Sequence, residues 1–154
     1  SRDDFCHYSV DAILDDVRLF MIKKCDAKRV EMNIKSPEHD TDVYCNPVQI
    51  SQTILILFNN AIDAIEELDD RWIDFKIKYD ENNLYISLVD SGFGIDKAIV
   101  PKVFDSFFTT KKQGKGTGIG LGLARKIITS HGGELAIDQG HENTKFDLWL
   151  PLKK

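Results

Sequence analysis

GKGTGIGLGLARKII, residues 114–128, sets glycine at five alternate positions, Gly114, Gly116, Gly118, Gly120 and Gly122, and runs straight into Leu123, Ala124, Ile127 and Ile128 at helical spacing. Alternate glycines leave backbone N–H groups uncovered, and the first turn of the following helix adds its own unpaired donors, so the stretch reads as a phosphate cradle. A plain surface loop is the competing reading, but it leaves the direct run into an apolar-periodic helix unexplained. Two familiar phosphate folds are excluded by the surroundings. No Gly-Lys-Ser/Thr follows, as a Walker loop requires, and the preceding segment is not a strand, as a Rossmann turn requires. A nucleotide fold of a third kind is needed.

Outward from that stretch, the chain alternates helices with pairs of strands. Ser9 is an N-cap for a stripe of Val10, Ile13, Leu14, Val17, Phe20 and Met21. Val30, Met32 and Ile34 alternate as a strand, a polar loop surrounds Pro37, and a short strand over residues 43–45 follows. Asn46-Pro47 supplies an N-cap and a first-turn proline for the best-marked helix, with Ile50, Ile54, Leu57, Phe58, Ala61, Ile65 and Leu68 on one side. Ile73, Phe75, Ile77 and Tyr79, then Leu84, Ile86 and Leu88, alternate as two antiparallel strands that end at Asp90. Gly132-Gly133 stops the last helix, and residues 134–138 and 144–150 alternate as a closing hairpin. This order implies an α/β two-layer sandwich, a mixed, mostly antiparallel sheet covered on one face by helices.

Three other places carry residues suited to chemistry. On the best-marked helix, Asn60, Asp63 and Glu67 share the side away from the apolar stripe. A solvated face is the ordinary reading of such a pattern. The small neighbours Asn59, Ala61 and Ala64 also leave room for the Asn60 amide oxygen to approach a Mg²⁺ that keeps water and phosphate ligands. Asp90 lies at a strand end, followed by Ser91-Gly92-Phe93-Gly94. The glycines permit a sharp turn, and a carboxylate, which only accepts, suits an exocyclic amine such as that of adenine, although Asp-x-Gly-x-Gly also occurs in plain turns. Between the two glycine motifs, Phe104, Phe107 and Phe108 sit in the polar stretch around Asp105, Ser106, Thr109, Thr110 and Lys111, as anchors of a mobile flap.

In sequence, Asn60-Ala61-Ile62-Asp63-Ala64, Asp90-Ser91-Gly92-Phe93-Gly94, Phe107-Phe108-Thr109-Thr110-Lys111 and residues 118–124 resemble the four boxes of sensor histidine kinase catalytic and ATP-binding domains. His131-Gly132-Gly133-Glu134 and Thr144-Lys145-Phe146 through Leu150-Pro151 resemble the closing segments of that family, and the resemblance spans about residues 10–152. It implies the Bergerat ATP-binding fold and a protein histidine kinase. On that resemblance Asn60 holds Mg²⁺ against the triphosphate, Asp90 accepts from the adenine amine, Gly92 and Gly94 shape that pocket, and Asp63, Ala64 and Ile95 are further nucleotide-binding residues. Phe107, Thr110, Gly116, Thr117, Gly118, Ile119, Gly120, Leu121, Gly122 and Leu123 close on the nucleotide, with Lys111 and Arg125 as phosphate contacts and Lys111 with Asn60 as the catalytic pair. Two positions depart from the family pattern. Ile56 stands where many members carry a polar residue and where related serine and dehydrogenase kinases use a glutamate to activate a hydroxyl, which speaks against those branches. Asn143 replaces a glycine before Thr144.

Composition narrows the remaining classes. The 154 residues, 42% hydrophobic and 29% charged, suit one domain over residues 1–154 with one core. A net charge of −5 without a strong basic block argues against nucleic acid. The longest uninterrupted apolar run, residues 54–58, is far below the ~20 residues that cross a bilayer. Cys6, Cys25 and Cys45, an odd number without C-x-x-C spacing, argue against both a disulfide framework and a zinc site and read as reduced cytosolic thiols. None of His7, His39, His131 and His141 stands in an acceptor motif, and all four read as surface residues. The expected partners are therefore ATP, an upstream dimerising helical hairpin bearing the acceptor histidine, and a response regulator reached through a parent protein that is cytoplasmic or membrane-anchored. The piece itself is expected to be a monomer. The alternative reading is a non-catalytic nucleotide-binding regulator of the same fold.

Overall fold

The fold is that of a computed structural model, described over residues 4–105 and 120–154. In chain order it comprises β1 (Cys6–Ser9), α1 (Val10–Lys28), β2 (Glu31–Lys35), β3 (Asp42–Cys45), α2 (Pro47–Ile65), β4 (Trp72–Tyr79), β5 (Asn83–Asp90), a 3-10 turn (Val100–Lys102), α3 (Gly120–Ser130), β6 (Glu134–Ile137) and β7 (Thr144–Pro151). Five strands form one sheet in the order β2-β4-β5-β7-β6, with β2 parallel to β4 and every other pairing antiparallel. The mixed, mostly antiparallel sheet expected from the sequence is present.

Local chemistry sets the ends of these elements. Ser9 Oγ accepts the Ala12 N–H at 3.1 Å and starts α1, and Arg29, left-handed at φ 57°, ends it. Asn46 accepts the Gln49 N–H at 3.1 Å and Pro47 occupies the first turn of α2. Asp80 Oδ1 accepts the N–H groups of Asn82 and Asn83, at 2.9 and 2.8 Å, and closes the β4–β5 hairpin. The inward residues Ile73, Phe75, Leu84, Leu88 and Phe146 of the sheet are buried with Ile13, Met21, Ile50, Ile54, Phe58, Ile62 and Ile65 of the helices. Asp74, Lys76 and Lys78 point to solvent from the opposite face. By length and composition α2 is apolar enough to cross a bilayer, but its apolar side, Ile50 to Ile65, is spent on this core.

Ahead of the helix that Ser9 caps, residues 6–9 make a strand that the sequence pattern does not announce. They form β1, which pairs with β3 in a separate two-stranded sheet, Cys6 opposite Cys45 and Ser9 opposite Asp42. This small sheet is tied to the rest by the Tyr44 N–H donating to the Leu152 carbonyl at 2.7 Å, and by the Asn46 N–H donating to His131 Nε2 at 3.0 Å.

The second of those bonds corrects the reading of His131 as a surface residue. It is 8% exposed, stacked 4.5 Å from the ring of Phe5, with Nδ1 2.7 Å from the Ile127 carbonyl. Nδ1 carries the proton toward Ile127 and Nε2 accepts from Asn46, an assignment that requires the neutral ring. Burial holds the imidazole below its ordinary 6.5, against the opposing pull of the Ile127 carbonyl. Between the lowered folded value and 6.5 the unfolded chain takes up a proton that the native one refuses, so this contribution to stability is full above pH 6.5 and falls below it. Urea denaturation at pH 7.5 and 5.5 should show His131→Gln losing less stability, or gaining more, than the wild type on acidification, because the variant lacks the part due to His131. An unchanged pH slope in the variant would assign the loss to other groups.

Candidate functional site

Asp90 occupies an inward position. On β5 the alternation that buries Leu84, Ile86 and Leu88 puts the carboxylate of Asp90 on the same face, fully buried at the strand end. Its Oδ1 accepts the Gly92 N–H at 2.7 Å. Thr144, directly opposite in the β5–β7 register, donates its hydroxyl to the carboxylate and accepts the Gly94 N–H at 3.0 Å. Oδ2 is buried and has no hydrogen-bond partner among the described residues. A buried carboxylate oxygen left in this state is costly unless a donor is brought to it. Burial pushes the carboxyl up to about 6, while the bonds from Gly92 and Thr144 pull the other way.

The two glycines after Asp90 have separate reasons. A Cβ on Gly92 would stand 2.8 Å from Asp90 Oδ1 and 3.0 Å from Thr144 Oγ1, so a side chain would push the carboxylate aside. Gly94 turns the chain at φ +89°, which L residues with a side chain rarely adopt. Asn143, the departure from the family pattern, holds this turn: its Nδ2 donates to the Gly92 carbonyl at 3.1 Å, beside the Thr144 N–H at 3.3 Å. Asn143→Gly removes one of the two, a bond worth about 0.5–1.5 kcal/mol. Calorimetric titration should then show ATP affinity lowered roughly two- to tenfold, and unchanged affinity would leave Asn143 without a part in the site.

Asn60 and Asp63 are half-buried on α2, and Ala64 is exposed one turn on. The neighbouring Asn59 is turned to α1, where its Oδ1 accepts from Lys24 Nζ. Among the described residues, the Asn60 amide makes no hydrogen bond. α3 begins against α2, and a Cβ on Gly120 would lie 3.2 Å from Ile56 Cγ2, so the apolar Ile56 fills the seam between the helices. A Cβ on Gly122 would meet the Phe104 carbonyl at 2.7 Å. The Phe104 ring packs edge-on against Phe146 at 6.4 Å, with the Arg125 guanidinium 4.7 Å above it. Arg125, expected at phosphate, is thus held over a ring at the start of α3. Ile95, Phe104, Leu121 and Leu123 are partly buried against the core beside it.

Ser106, Phe107, Phe108, Thr109, Thr110, Lys111, Gly114, Gly116, Thr117, Gly118 and Ile119, with the flap and most of the cradle, lie outside the described residues. Sequence reasoning missed Thr144 as a partner of Asp90, and the Asn143 clamp. The alternation of β7, read against β5, was the available signal for Thr144. A depression of about 540 Å³ beside the same turn is lined by Leu68, Asp69, Asp70, Trp72, Ser91, Phe93, Glu142 and Asn143. Its three carboxylates repel a triphosphate, so the chemistry of this concavity does not fit a nucleotide.

With that geometry in hand, known proteins place the chain. The family model described as histidine kinase-, DNA gyrase B- and HSP90-like ATPase matches residues 45–154. The sensor protein TdiS of Thauera aromatica is 30% identical over 94% of this chain and 27% of its own length. Sporulation kinase E of Bacillus subtilis is 27% identical over 94% of this chain and 19% of its own. The chain therefore spans about a fifth to a quarter of these relatives. Among solved structures, the nucleotide-free catalytic domain of histidine kinase ThkA superposes with a TM-score of 0.86 at 26% identity, over 97% of both chains. ThkA has also been solved in complex with the response regulator TrrA, a match of TM-score 0.81 at 23% identity over 96% of this chain and 42% of that one. A five-stranded mixed sheet under three helices, a buried Asp90 with one oxygen unsatisfied among the described residues and closely packed glycines at the start of α3 agree with these matches: the chain belongs to the histidine kinase-, DNA gyrase B- and HSP90-like ATPase family, as a catalytic domain of the sensor histidine kinase kind.

Proposed function

We propose that this domain binds Mg·ATP between α2, the Asp90–Gly94 turn and the start of α3, and passes the γ-phosphoryl group to a histidine on a dimerising helical hairpin of the same polypeptide. The observation that carries the reading is Asp90 Oδ2, a buried acceptor without a donor among the described residues, beside two glycines. An exocyclic adenine amine supplies that donor, and a guanine carbonyl at the same place repels it. Asn60, half-buried with its amide free of bonds to the described residues, fits an oxygen ligand for Mg²⁺. When bound, the ion neutralises charge on the triphosphate. The residues of the chain supply position: Asp90 and the turn fix the base, Gly120 and Gly122 bring the N-terminus of α3 close, and Lys111 and Arg125 serve the phosphates. Asp63, Ala64, Ile95, Phe107, Thr110, Gly116, Thr117, Gly118, Ile119, Leu121 and Leu123 complete the pocket in this reading. No residue of this set is needed as a base, since an imidazole is itself a competent nucleophile at neutral pH.

Phosphorylation then proceeds to a response regulator, in a parent protein whose kinase domain faces the cytoplasm, and nucleic acid has no part in it. The packing of Ile56 against Gly120 supports the kinase over the non-catalytic regulator, because it gives the apolar residue a structural reason. The test is to titrate the chain with Mg·ATP and Mg·GTP, then incubate the intact parent with γ-labelled ATP. ATP is expected to bind at least tenfold more tightly than GTP, ~1.4 kcal/mol, and the label to be acid-labile and alkali-stable, as a phosphoramidate is. Asn60→Ala should weaken Mg-dependent binding while the melting temperature holds, because Asn60 lies off the apolar stripe. Equal affinity for the two nucleotides sinks the base pocket. An acid-stable label sinks the acceptor.

A further inference from the structure

The small sheet brings two thiols together. Cys6 of β1 and Cys45 of β3 stand directly opposite in the antiparallel register. The Val10 N–H donates to the Thr41 carbonyl at 2.9 Å one step beyond the register, which marks that pair as hydrogen-bonded. Hydrogen-bonded pairs recur at every second residue, so Tyr8 with Val43 and Cys6 with Cys45 belong to the same class, in which opposed Cα atoms are about 5.5 Å apart. A disulfide closes across roughly 4.4–6.8 Å. Directly opposed residues also leave the sheet on the same side. Cys45 is fully buried and Cys6 half-buried, so one thiol meets solvent and the other waits behind it. Burial, and second the charge of Cys6, pushes the Cys45 thiol up to about 12. Cys25 lies elsewhere, its Sγ 3.8 Å from Met32 Sδ between α1 and β2.

We propose that Cys6 and Cys45 form a reversible disulfide site that fastens β1 to β3 under oxidising conditions. With a small disulfide as oxidant, the Cys6 thiolate attacks one of its sulfurs, breaks that S–S bond and releases one thiolate, leaving a mixed disulfide on Cys6. Cys45, deprotonated, then attacks the Cys6 sulfur, forms the protein S–S bond and releases the second thiolate. The protons lost by the two cysteines end on the two released thiols, so two protein thiols are oxidised and one small disulfide is reduced. The bond joins the strand that leads into α1 through Ser9 to the strand that leads into α2 through Asn46. Because the second step waits on a buried thiolate, closure should quicken about tenfold for each pH unit between 7 and 9.

The test is to incubate the folded chain with oxidised glutathione, quench with acid and weigh it. The expected product has lost two hydrogens, retains one of its three thiols, and yields a Cys6–Cys45 linked peptide in a non-reducing digest that dithiothreitol separates. Cys25→Ser should behave as the wild type. Cys45→Ser should stop at one glutathione on Cys6, and Cys6→Ser should take up neither bond. The wild-type mass decides the matter even where a serine variant folds poorly. A wild-type product that stops at glutathionylated Cys6, a link through Cys25, or three unreacted thiols after long incubation at pH 9 would each overturn the proposal.

Discussion

Asp90→Asn should make the folded chain more stable at pH 8 and make it a poor binder of ATP. The two effects come from the same oxygen. In the native chain the Asp90 carboxyl titrates near 6, against 3.8 for the free group. Between those values the native state keeps a proton that the unfolded state has released, so the contribution of this group is most favourable below 3.8 and is lost as pH rises through 6. Above pH 6 the ionised, buried carboxylate opposes folding by roughly 3 kcal/mol, at about 1.36 kcal/mol per unit. The neutral amide escapes most of this penalty and keeps an oxygen for the Gly92 N–H. The amine of the base, however, loses a charged acceptor worth about 1.5–3 kcal/mol, a drop of about tenfold to a hundredfold in affinity. Urea denaturation and calorimetry on the same samples measure both. A variant less stable than the wild type at pH 8, or one with undiminished affinity for ATP, would show that Asp90 is held for structure.

Gly133→Ala should be the most damaging methyl at any of the described glycines. An ideal Cβ there would stand 1.9 Å from the Trp149 carbonyl oxygen and 2.9 Å from Leu150 Cα. Both atoms are backbone of β7, the strand that pairs with β5 on one side and β6 on the other. No rotamer change relieves the clash, so either β6 separates from β7 or the end of α3 lifts from the sheet. A loss above about 4 kcal/mol is expected, in a domain of ordinary stability of ~5–15 kcal/mol. Gly140→Ala is the control, because its Cβ meets only the flexible Asp138 side chain at 3.4 Å. That change should stay within about 0.5 kcal/mol. Circular dichroism melts separate the two, and a Gly133→Ala chain that melts like Gly140→Ala would refute the contact.

The elements that were legible in the sequence are those whose signals are local. The Asn46-Pro47 cap announces α2, strict alternation announces β4, β5 and β7, and Gly132-Gly133 announces the end of α3. β1 was not legible, because four residues without a turn beside them carry no period, and its partner β3 is short as well. His131 was misread for a related reason. It lies at the end of a helix, an exposed place as a rule, and its burial depends on Asn46 and Phe5, far away in the chain. At the site, Asp90 was visible as a motif. That it shares the inward face with Leu84, Ile86 and Leu88 was also in the alternation, whereas the partnership with Thr144 needs the strand register. The Asn143 clamp needs a side-chain rotamer, and no pattern of residue types supplies one.

The position of β7 has a consequence for how the protein is made. It is the last of the described strands in chain order, yet it lies inside the sheet, with Asn83 opposite Pro151 and Asp90 opposite Thr144. While the ribosome is still adding residues 91–143, β5 has been synthesised but has an open edge and an apolar inner face. At ~5–20 residues per second, that interval lasts for seconds. An uncovered strand of this kind is the usual template for pairing with a second nascent chain. A translational pause between Asp90 and Thr144 would lengthen that interval, and slow codons placed there should lower the soluble yield while leaving the amino-acid sequence untouched.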